Sequence, residues 1–81
     1  MPPTADDLPS RVLATRRRIG ARVRTLREDR GLSQETLAHS VGLDRRTVSY
    51  VELATHAASI DVLVLLADAL GVPLADLVRD G

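Results

Sequence analysis

Two neighbouring arginines, Arg45 and Arg46, carry the clearest chemistry in this 81-residue chain. A guanidinium group presents its N–H donors in a rigid fork, so it can bind two acceptors at once, either phosphate oxygens or the O6 and N7 atoms of guanine. Hydroxyl groups that can bind phosphates or base edges follow at Thr47, Ser49 and Tyr50. This combination of donors and acceptors predicts a surface that binds nucleic acid.

These side chains also have plainer interpretations. One of the two arginines could neutralise a phosphate without reading a base, and Thr47 could face solvent. Tyr50 could reach a phosphate or a thymine methyl group, or its ring could lie over the helix surface. Asp44 is better explained as a helix cap than as a base contact, because aspartate is favoured at that position. We therefore expect at least one base contact from the arginine pair.

The segment 32–52 predicts two short helices joined by a tight turn. Ser33 and Asp44 are good N-cap residues, one before each helix. Gly42 stands where the chain must reverse, because glycine adopts a positive φ without steric cost. The apolar positions are Leu37, Val41, Leu43, Val48 and Val51, with the small Ala38 where the helices would cross. This is the arrangement of a helix-turn-helix, whose second helix lies in the DNA major groove.

The rest of the chain is also predicted to be helical, so the fold class is all-α. The predicted helices span about residues 11–30, 34–40, 45–53, 60–70 and 73–79. Ser10 and Ser59 are predicted to cap the first and fourth helices, Gly20 weakens the middle of the first, and Pro73 begins the fifth. The inward positions of the first helix are Ile19, Val23, Leu26 and Arg30, and those of the fourth are Ile60, Leu63, Leu66, Ala67 and Leu70. Residues 11–81 then form one domain, after a proline-rich tail at residues 1–10 that we expect to be disordered.

Composition argues against several classes of protein. The chain has no cysteine, and its only histidines, His39 and His56, have no ligands at metal-binding spacing, so we expect no metal and no cofactor. No serine, histidine and acid arrangement looks catalytic, so we expect no enzyme and no catalytic residue. Without an apolar run of membrane-spanning length or a signal peptide, we expect no membrane association and a cytoplasmic location.

The net charge of zero hides an uneven distribution. Ten arginines and four acidic residues lie between Ser10 and Tyr50, whereas one arginine and five acidic residues lie between Val51 and Gly81. The half that carries the helix-turn-helix is therefore basic, as phosphate contact requires.

Further arginines on the first helix could add to this basic surface. They are Arg16, Arg17, Arg18 and Arg22. They could contact phosphates or form an arm that reaches the adjacent minor groove. The alternative is a solvated helix face without a binding role.

Many spaced residues together resemble one family. They are Arg27, Leu32-Ser33-Gln34, Leu37-Ala38, Gly42, Val48-Ser49, Val51-Glu52, Leu63, Leu66-Ala67, residues 69–72 and Leu77. In this register the chain resembles the Cro and phage-repressor type of helix-turn-helix domain, the xenobiotic response element family of regulators. The resemblance implies a five-helix, lambda-repressor-like DNA-binding domain. It also implies that Gln34 approaches a phosphate and braces the recognition helix, and that Arg27 and Glu52 form an ion pair.

The chain departs from that family after the glutamate. The family usually has a glycine, a basic loop and a proline, where this chain has Ala54, Thr55-His56-Ala57 and Ala58. The left-handed turn of the glycine is therefore in doubt, and the third helix could run on. Some phosphate contact could move to the first-helix arginines, because this loop contains no arginine or lysine.

The fourth helix carries more apolar residues than one core needs. Val62, Leu65 and Ala69 form a second stripe, to which Leu74 and Val78 add. We expect this stripe to join two copies, unless the fifth helix folds back and covers it within one monomer. The predicted function is a sequence-specific transcriptional regulator that binds a palindromic operator in double-stranded DNA as a homodimer. The alternatives are an antitoxin-like or adaptor protein with a protein partner, and a controller protein of a restriction–modification operon.

Overall fold

The computed structural model of the chain describes residues 7–80 and is helical, which confirms the all-α prediction. The five helices are α1 (Asp7–Asp29), α2 (Gln34–Ser40), α3 (Arg45–Leu53), α4 (Ile60–Leu70) and α5 (Leu74–Val78). The bounds of α2, α3 and α4 agree with those predicted. No helix in the described part of the chain is long and apolar enough to cross a membrane.

The first helix is longer at its start than predicted. It begins at Asp7, so the predicted cap at Ser10 is wrong and residues 7–10 of the predicted tail are helical. The other tail residues, 1–6, lie outside the described residues. At the other end, Arg30 is exposed and bonds the Leu26 carbonyl through Nη1 at 3.1 Å. Arg30 therefore covers the end of the helix. Its prediction as an inward residue is wrong, because its side chain is exposed.

The turn between α2 and α3 forms as its local signals predict. The Ser33 hydroxyl accepts a hydrogen bond from the Thr36 amide at 3.0 Å, and Asp44 Oδ1 accepts one from the Arg46 amide at 2.8 Å. Gly42 has a φ of +72°. These contacts satisfy amide groups that a helix start leaves without an intrahelical partner, and they set where each helix begins.

The five helices surround one small aliphatic core. Its buried residues are Val23, Leu37, Ala38, Val48, Val51, Leu63, Leu66, Ala67, Leu70 and Leu77. Ile60 does not join them, because the first turn of α4 extends past the core and leaves this residue 59% exposed. At the start of α5, Pro73 is the N-cap residue and the helix begins at Leu74, one residue later than predicted.

Gly20 is the point of closest approach between α1 and α3. A Cβ atom at this position would lie 2.4 Å from the Val51 carbonyl oxygen and 2.7 Å from that of Glu52. The glycine therefore has a packing role, and α1 runs through it without a break. Its backbone lies directly against the C-terminal end of α3.

The third helix ends in a left-handed turn although glycine is absent. Ala54 has a φ of +57°, and its amide bonds the Val51 carbonyl at 3.2 Å. The left-handed region costs an L-residue about 1–2 kcal/mol, so the surrounding contacts must hold this turn. Thr55 contributes one of them through its amide, which bonds the Tyr50 carbonyl at 3.2 Å. The third helix therefore does not run on into the loop.

Candidate nucleic-acid interface

The N-terminal end of α3 presents two available guanidinium groups. Arg45 and Arg46 are exposed, and neither guanidinium has a hydrogen-bond or ion-pair partner among the described residues. Only the backbone amide of Arg46 is engaged, by the Asp44 cap. Both side chains are therefore available to acceptors outside the protein.

The other predicted contact residues of α3 are partly covered. Thr47, Ser49 and Tyr50 are all half-buried. The Tyr50 ring lies 4.0 Å from the His56 ring, with 33° between the planes. His56 is itself oriented by Thr55, whose hydroxyl lies 3.0 Å from its Nδ1 atom. Tyr50 thus joins α3 to the loop that follows, which is a packing role in addition to the DNA contact predicted from the sequence.

The C-terminal end of α3 is held by a network of charged hydrogen bonds. Arg27 meets the Glu52 carboxylate through two parallel bonds, Nε to Oε2 at 2.7 Å and Nη2 to Oε1 at 2.9 Å. Arg27 Nη1 also donates to the Leu32 carbonyl at 2.9 Å. Gln34 Nε2 donates to Glu52 Oε1 at 3.1 Å. The structure thus brings together the three residues that the family resemblance connected.

This network lies mostly inside the protein. The side chains of Arg27 and Glu52 are 13% and 3% exposed. The hydrogen bonds that the Arg27 guanidinium donates to Glu52, opposed in part by burial, raise the pKa of Arg27, which therefore stays charged. Loss of one partner from a buried pair costs on the order of 3–5 kcal/mol, because the other charge stays buried alone. The pair therefore fixes α3 firmly against α1.

Gln34 stands at the first position of α2 and is only partly engaged. Its amide nitrogen has two N–H groups, of which the bond to Glu52 needs one. The second N–H and the carbonyl oxygen can serve another partner. Gln34 can therefore brace α3 and still contact a ligand.

Two first-helix arginines are occupied at the end of α5. Arg18 bonds the Arg79 carbonyl through Nε at 3.2 Å and the Asp80 carboxylate through Nη2 at 2.9 Å. Arg22 Nη1 bonds the Leu77 carbonyl at 3.1 Å and also contacts the Arg79 carbonyl. Cations favour helix C-termini, and α5 has no basic residue in its own last turn. Arg18 and Arg22 therefore cap α5 and are not brought to the helix-turn-helix.

The other two first-helix arginines are placed differently. Arg16 is half-buried beside a groove of about 230 Å³, which it shares with Val12, His56 and Ala58, among others. Arg17 is exposed, and its guanidinium has no partner among the described residues. Arg16 therefore lies next to the loop that follows α3, whereas Arg17 points away from the core.

The predicted dimer stripe is partly covered by the monomer's own packing. Val62, Ala69, Leu74 and Val78 all pack against the core, and Leu65 is half-buried. Among the residues whose side chains the structure describes, the large apolar ones that stay exposed are Val12, Leu13, Leu53, Ile60 and Val64. They lie on the N-terminal part of α1, at the last residue of α3 and on the outer side of α4. Within the described residues, no group of potential ligands could hold a metal ion.

Comparison with known proteins gives related regulators. A profile described as Helix-turn-helix matches residues 23–77. The transcriptional repressor RstR of the cryptic phage CTXphi from Vibrio cholerae is 35% identical over 60 residues, which cover 74% of this chain and 54% of the repressor. An HTH-type transcriptional regulatory protein of Methanosarcina acetivorans is 45% identical over 56 residues, 69% of this chain and 17% of the relative. The chain thus spans about half the length of the first relative and a sixth of the second.

Two crystal structures have the same fold. The restriction-modification controller protein C.AhdI from Aeromonas hydrophila superposes with a TM-score of 0.76 at 42% identity, covering 79% of this chain and 97% of that one. The hypothetical transcription factor NHTF from Neisseria has a TM-score of 0.76 at 36% identity, with 79% and 74% covered. With the profile spanning most of the chain and the α2–α3 geometry in place, the chain belongs to the helix-turn-helix family, of the Cro and phage-repressor type.

Proposed function

We propose that this chain is a sequence-specific DNA-binding transcriptional regulator that binds a palindromic operator as a homodimer. The observation that carries the proposal is that α3 is exposed at one end and fixed to the rest of the protein at the other. Its N-terminal end presents Arg45 and Arg46 without partners, while its C-terminal end is fixed by the Arg27–Glu52 pair. A rigid helix with two available guanidiniums at its start is suited to read guanine edges in the major groove. The names of its relatives, a phage repressor and a controller protein, support the same function.

Phosphate contacts position α3 in the groove. Gln34 supplies one from the start of α2, where an amide N–H is still available, and Thr47 and Ser49 can supply others through their hydroxyls. Arg16 replaces the basic loop that this chain lacks, because it lies beside His56 in that loop. These groups carry no sequence information themselves, but they set the register of the arginine pair.

A homodimer follows from the proposed palindrome. Two-fold symmetry places two copies of α3 about 34 Å apart, which is one turn of duplex. It also doubles every phosphate contact, so binding is steeply dependent on salt. The half-buried stripe that includes Leu65 and Val78 is one surface that can join the two copies.

Selection of bound sequences from random duplex DNA tests this function. We expect a palindrome with two half-sites one helical turn apart, and a guanine in each half-site that the Arg45→Ala or Arg46→Ala variant no longer prefers. Recovery of no common sequence would contradict sequence-specific binding. Co-purification of a second protein, together with that failure, would favour the antitoxin-like or adaptor alternative.

A second candidate is a controller protein of a restriction–modification operon. The similarity to C.AhdI favours it, because the match covers 97% of that controller protein at 42% identity. Both candidates use the same DNA-binding surface and differ in the regulated genes. Nuclease and methyltransferase genes beside this one, and binding of the protein to their promoter in a mobility-shift assay, would support the controller role.

A further inference from the structure

The N-terminal part of α1 is a helical arm with little covering it. We define the arm as residues 9–18, which precede Ile19, the first partly buried apolar residue of α1 that packs on the core. Within the arm, Val12 is 49% exposed and Leu13 is 36% exposed. Helices in proteins are stabilised mainly by the packing of an apolar face, and this part of α1 has little such packing. The arm would therefore be stabilised by a surface that covers these side chains.

The arm also carries positive charge. Arg17 follows Leu13 by four residues, so the two side chains lie on one side of the helix, about 6 Å apart along its axis. The Arg17 guanidinium is exposed and has no partner among the described residues. This side of the arm thus offers an apolar group next to a cation.

The outer face of α4 shows the matching pattern with opposite charge. We define this face by Ile60, Asp61, Val64 and Asp68, which share one side of the helix. Ile60 is 59% and Val64 is 40% exposed. Asp61 and Asp68 are exposed, and neither carboxylate has an ion pair within the described residues. No arginine occurs between Thr47 and Val78, so nothing basic in that half of the chain neutralises the face.

The two surfaces fit each other by spacing and by charge. Asp68 follows Val64 by four residues, as Arg17 follows Leu13, and Asp61 precedes Val64 by three. With Leu13 against Val64, a parallel arm places Arg17 near Asp68, and an antiparallel arm places it near Asp61. Pairing of two arms with each other is less favourable than pairing of an arm with α4, because both arms are basic.

We infer that the arm of one protomer binds the outer face of α4 on a second copy of this chain, with the exchange repeated around the two-fold axis. Within a protomer the arm passes beside α4, since Val12 lines a groove together with Leu63. A reciprocal exchange forms two symmetric contacts around the two-fold axis. This inference rests on the homodimer of the proposed function and names a surface different from the stripe of Leu65 and Val78.

A charge-swap experiment tests the exchange without DNA. The dimer dissociation constant is measured by sedimentation equilibrium at low salt for the parent, Arg17→Glu, Asp68→Arg and Asp61→Arg. Because each reversal places like charges at both symmetric contacts, Arg17→Glu and one of the aspartate variants should weaken the dimer about tenfold or more. Combining Arg17→Glu with that aspartate variant in one chain should restore the parent's dissociation constant. Arg24→Glu, two turns further along the same side of α1, is the matched control and should leave the dimer unchanged.

Several results would overturn the exchange. The first is a parent protein that is monomeric, and the second is single variants that dimerise like the parent. The third is that neither double variant, Arg17→Glu with Asp68→Arg or with Asp61→Arg, recovers the parent's dissociation constant. Should a reversal lower helicity by circular dichroism, Leu13→Ser and Val64→Ser carry the same expectation, which is loss of the dimer. Binding of each variant to palindromic DNA separates the two proposals. If dimers persist in Arg17→Glu and still bind the palindrome, the proposed function stands and the exchange is wrong.

Discussion

Replacing Gly20 with alanine tests how closely α1 must approach α3. The new Cβ would lie 2.4 Å and 2.7 Å from the carbonyl oxygens of Val51 and Glu52. Ordinary carbon–oxygen contacts begin at about 3.3 Å, so α3 must move outward by roughly 1 Å. Both oxygens belong to the backbone of a helix and cannot rotate away. The variant therefore strains the point where α1 holds α3.

Two opposing effects set the size of the change. Alanine in a helix interior gains about 0.8–1.0 kcal/mol over glycine, whereas overpacking of a tight contact costs about 1–3 kcal/mol. Displacement of α3 also disturbs the Arg27–Glu52 bonds of 2.7 and 2.9 Å, so we take the upper part of that range. The net loss is about 1–2 kcal/mol, which lowers the melting temperature by roughly 5–15 °C in a domain of this size.

Thermal melts followed by circular dichroism give the stability, and a mobility-shift assay gives the affinity for specific and random DNA. Because α3 moves relative to the rest of the surface, affinity for the specific site should fall more than affinity for random DNA. Ala21→Gly is the matched control, since Ala21 is exposed beside Gly20 and reports helix propensity alone. A Gly20→Ala variant that melts higher than the parent, as propensity alone would give, would refute the close approach.

Five further single substitutions, in three groups, test the candidate interface. Arg45→Ala and Arg46→Ala should each cost about 1–3 kcal/mol on the preferred site in a binding titration, and an unchanged specific-to-random ratio would show that they touch only phosphate. Arg27→Ala and Glu52→Ala should each lower stability by about 3–5 kcal/mol, and denaturant melts that show strictly additive losses in the double variant would contradict the pair. Asp44→Ala should cost about 1 kcal/mol by removing the cap of α3, whereas an unchanged melt would show that the cap contributes little.

The helix-turn-helix could be predicted from the sequence because its signals are local. Ser33 and Asp44 each accept a hydrogen bond from an amide two or three residues further on. Gly42 adopts a positive φ without help from distant contacts, because it has no side chain. Such contacts depend on neighbours along the chain, so residue type and position suffice to place the helices. The left-handed Ala54 shows the limit of this reasoning. Alanine does not favour that conformation, and the packing of the loop after α3 decides it.

Contacts between distant parts of the chain could not be read in the same way. From the sequence alone, Gly20 only lowers the helix propensity of α1. The structure shows that the α3 backbone packs directly against it. Ile60 fits the apolar period of α4, but the buried part of this helix begins one turn later, at Leu63, so Ile60 is exposed. Arg18 and Arg22 both bond backbone carbonyls 55 to 61 residues away, and a backbone group carries no residue type. In each case the deciding atom belongs to another element.

This division of the arginines sets the expected salt dependence of DNA binding. Arg18 and Arg22 are held by the end of α5, whereas Arg16, Arg45 and Arg46 have no partner among the described residues. If those three alone meet phosphates or bases, a dimer makes about six cationic contacts, and the slope of log K against log salt is about −5. Were Arg18 and Arg22 to contact phosphates as well, about ten contacts would give a slope near −9. Gln34 is neutral and does not change either value. A titration from low to high salt on the selected operator distinguishes the two slopes, and a value near −9 would mean that the cap on α5 opens when DNA binds.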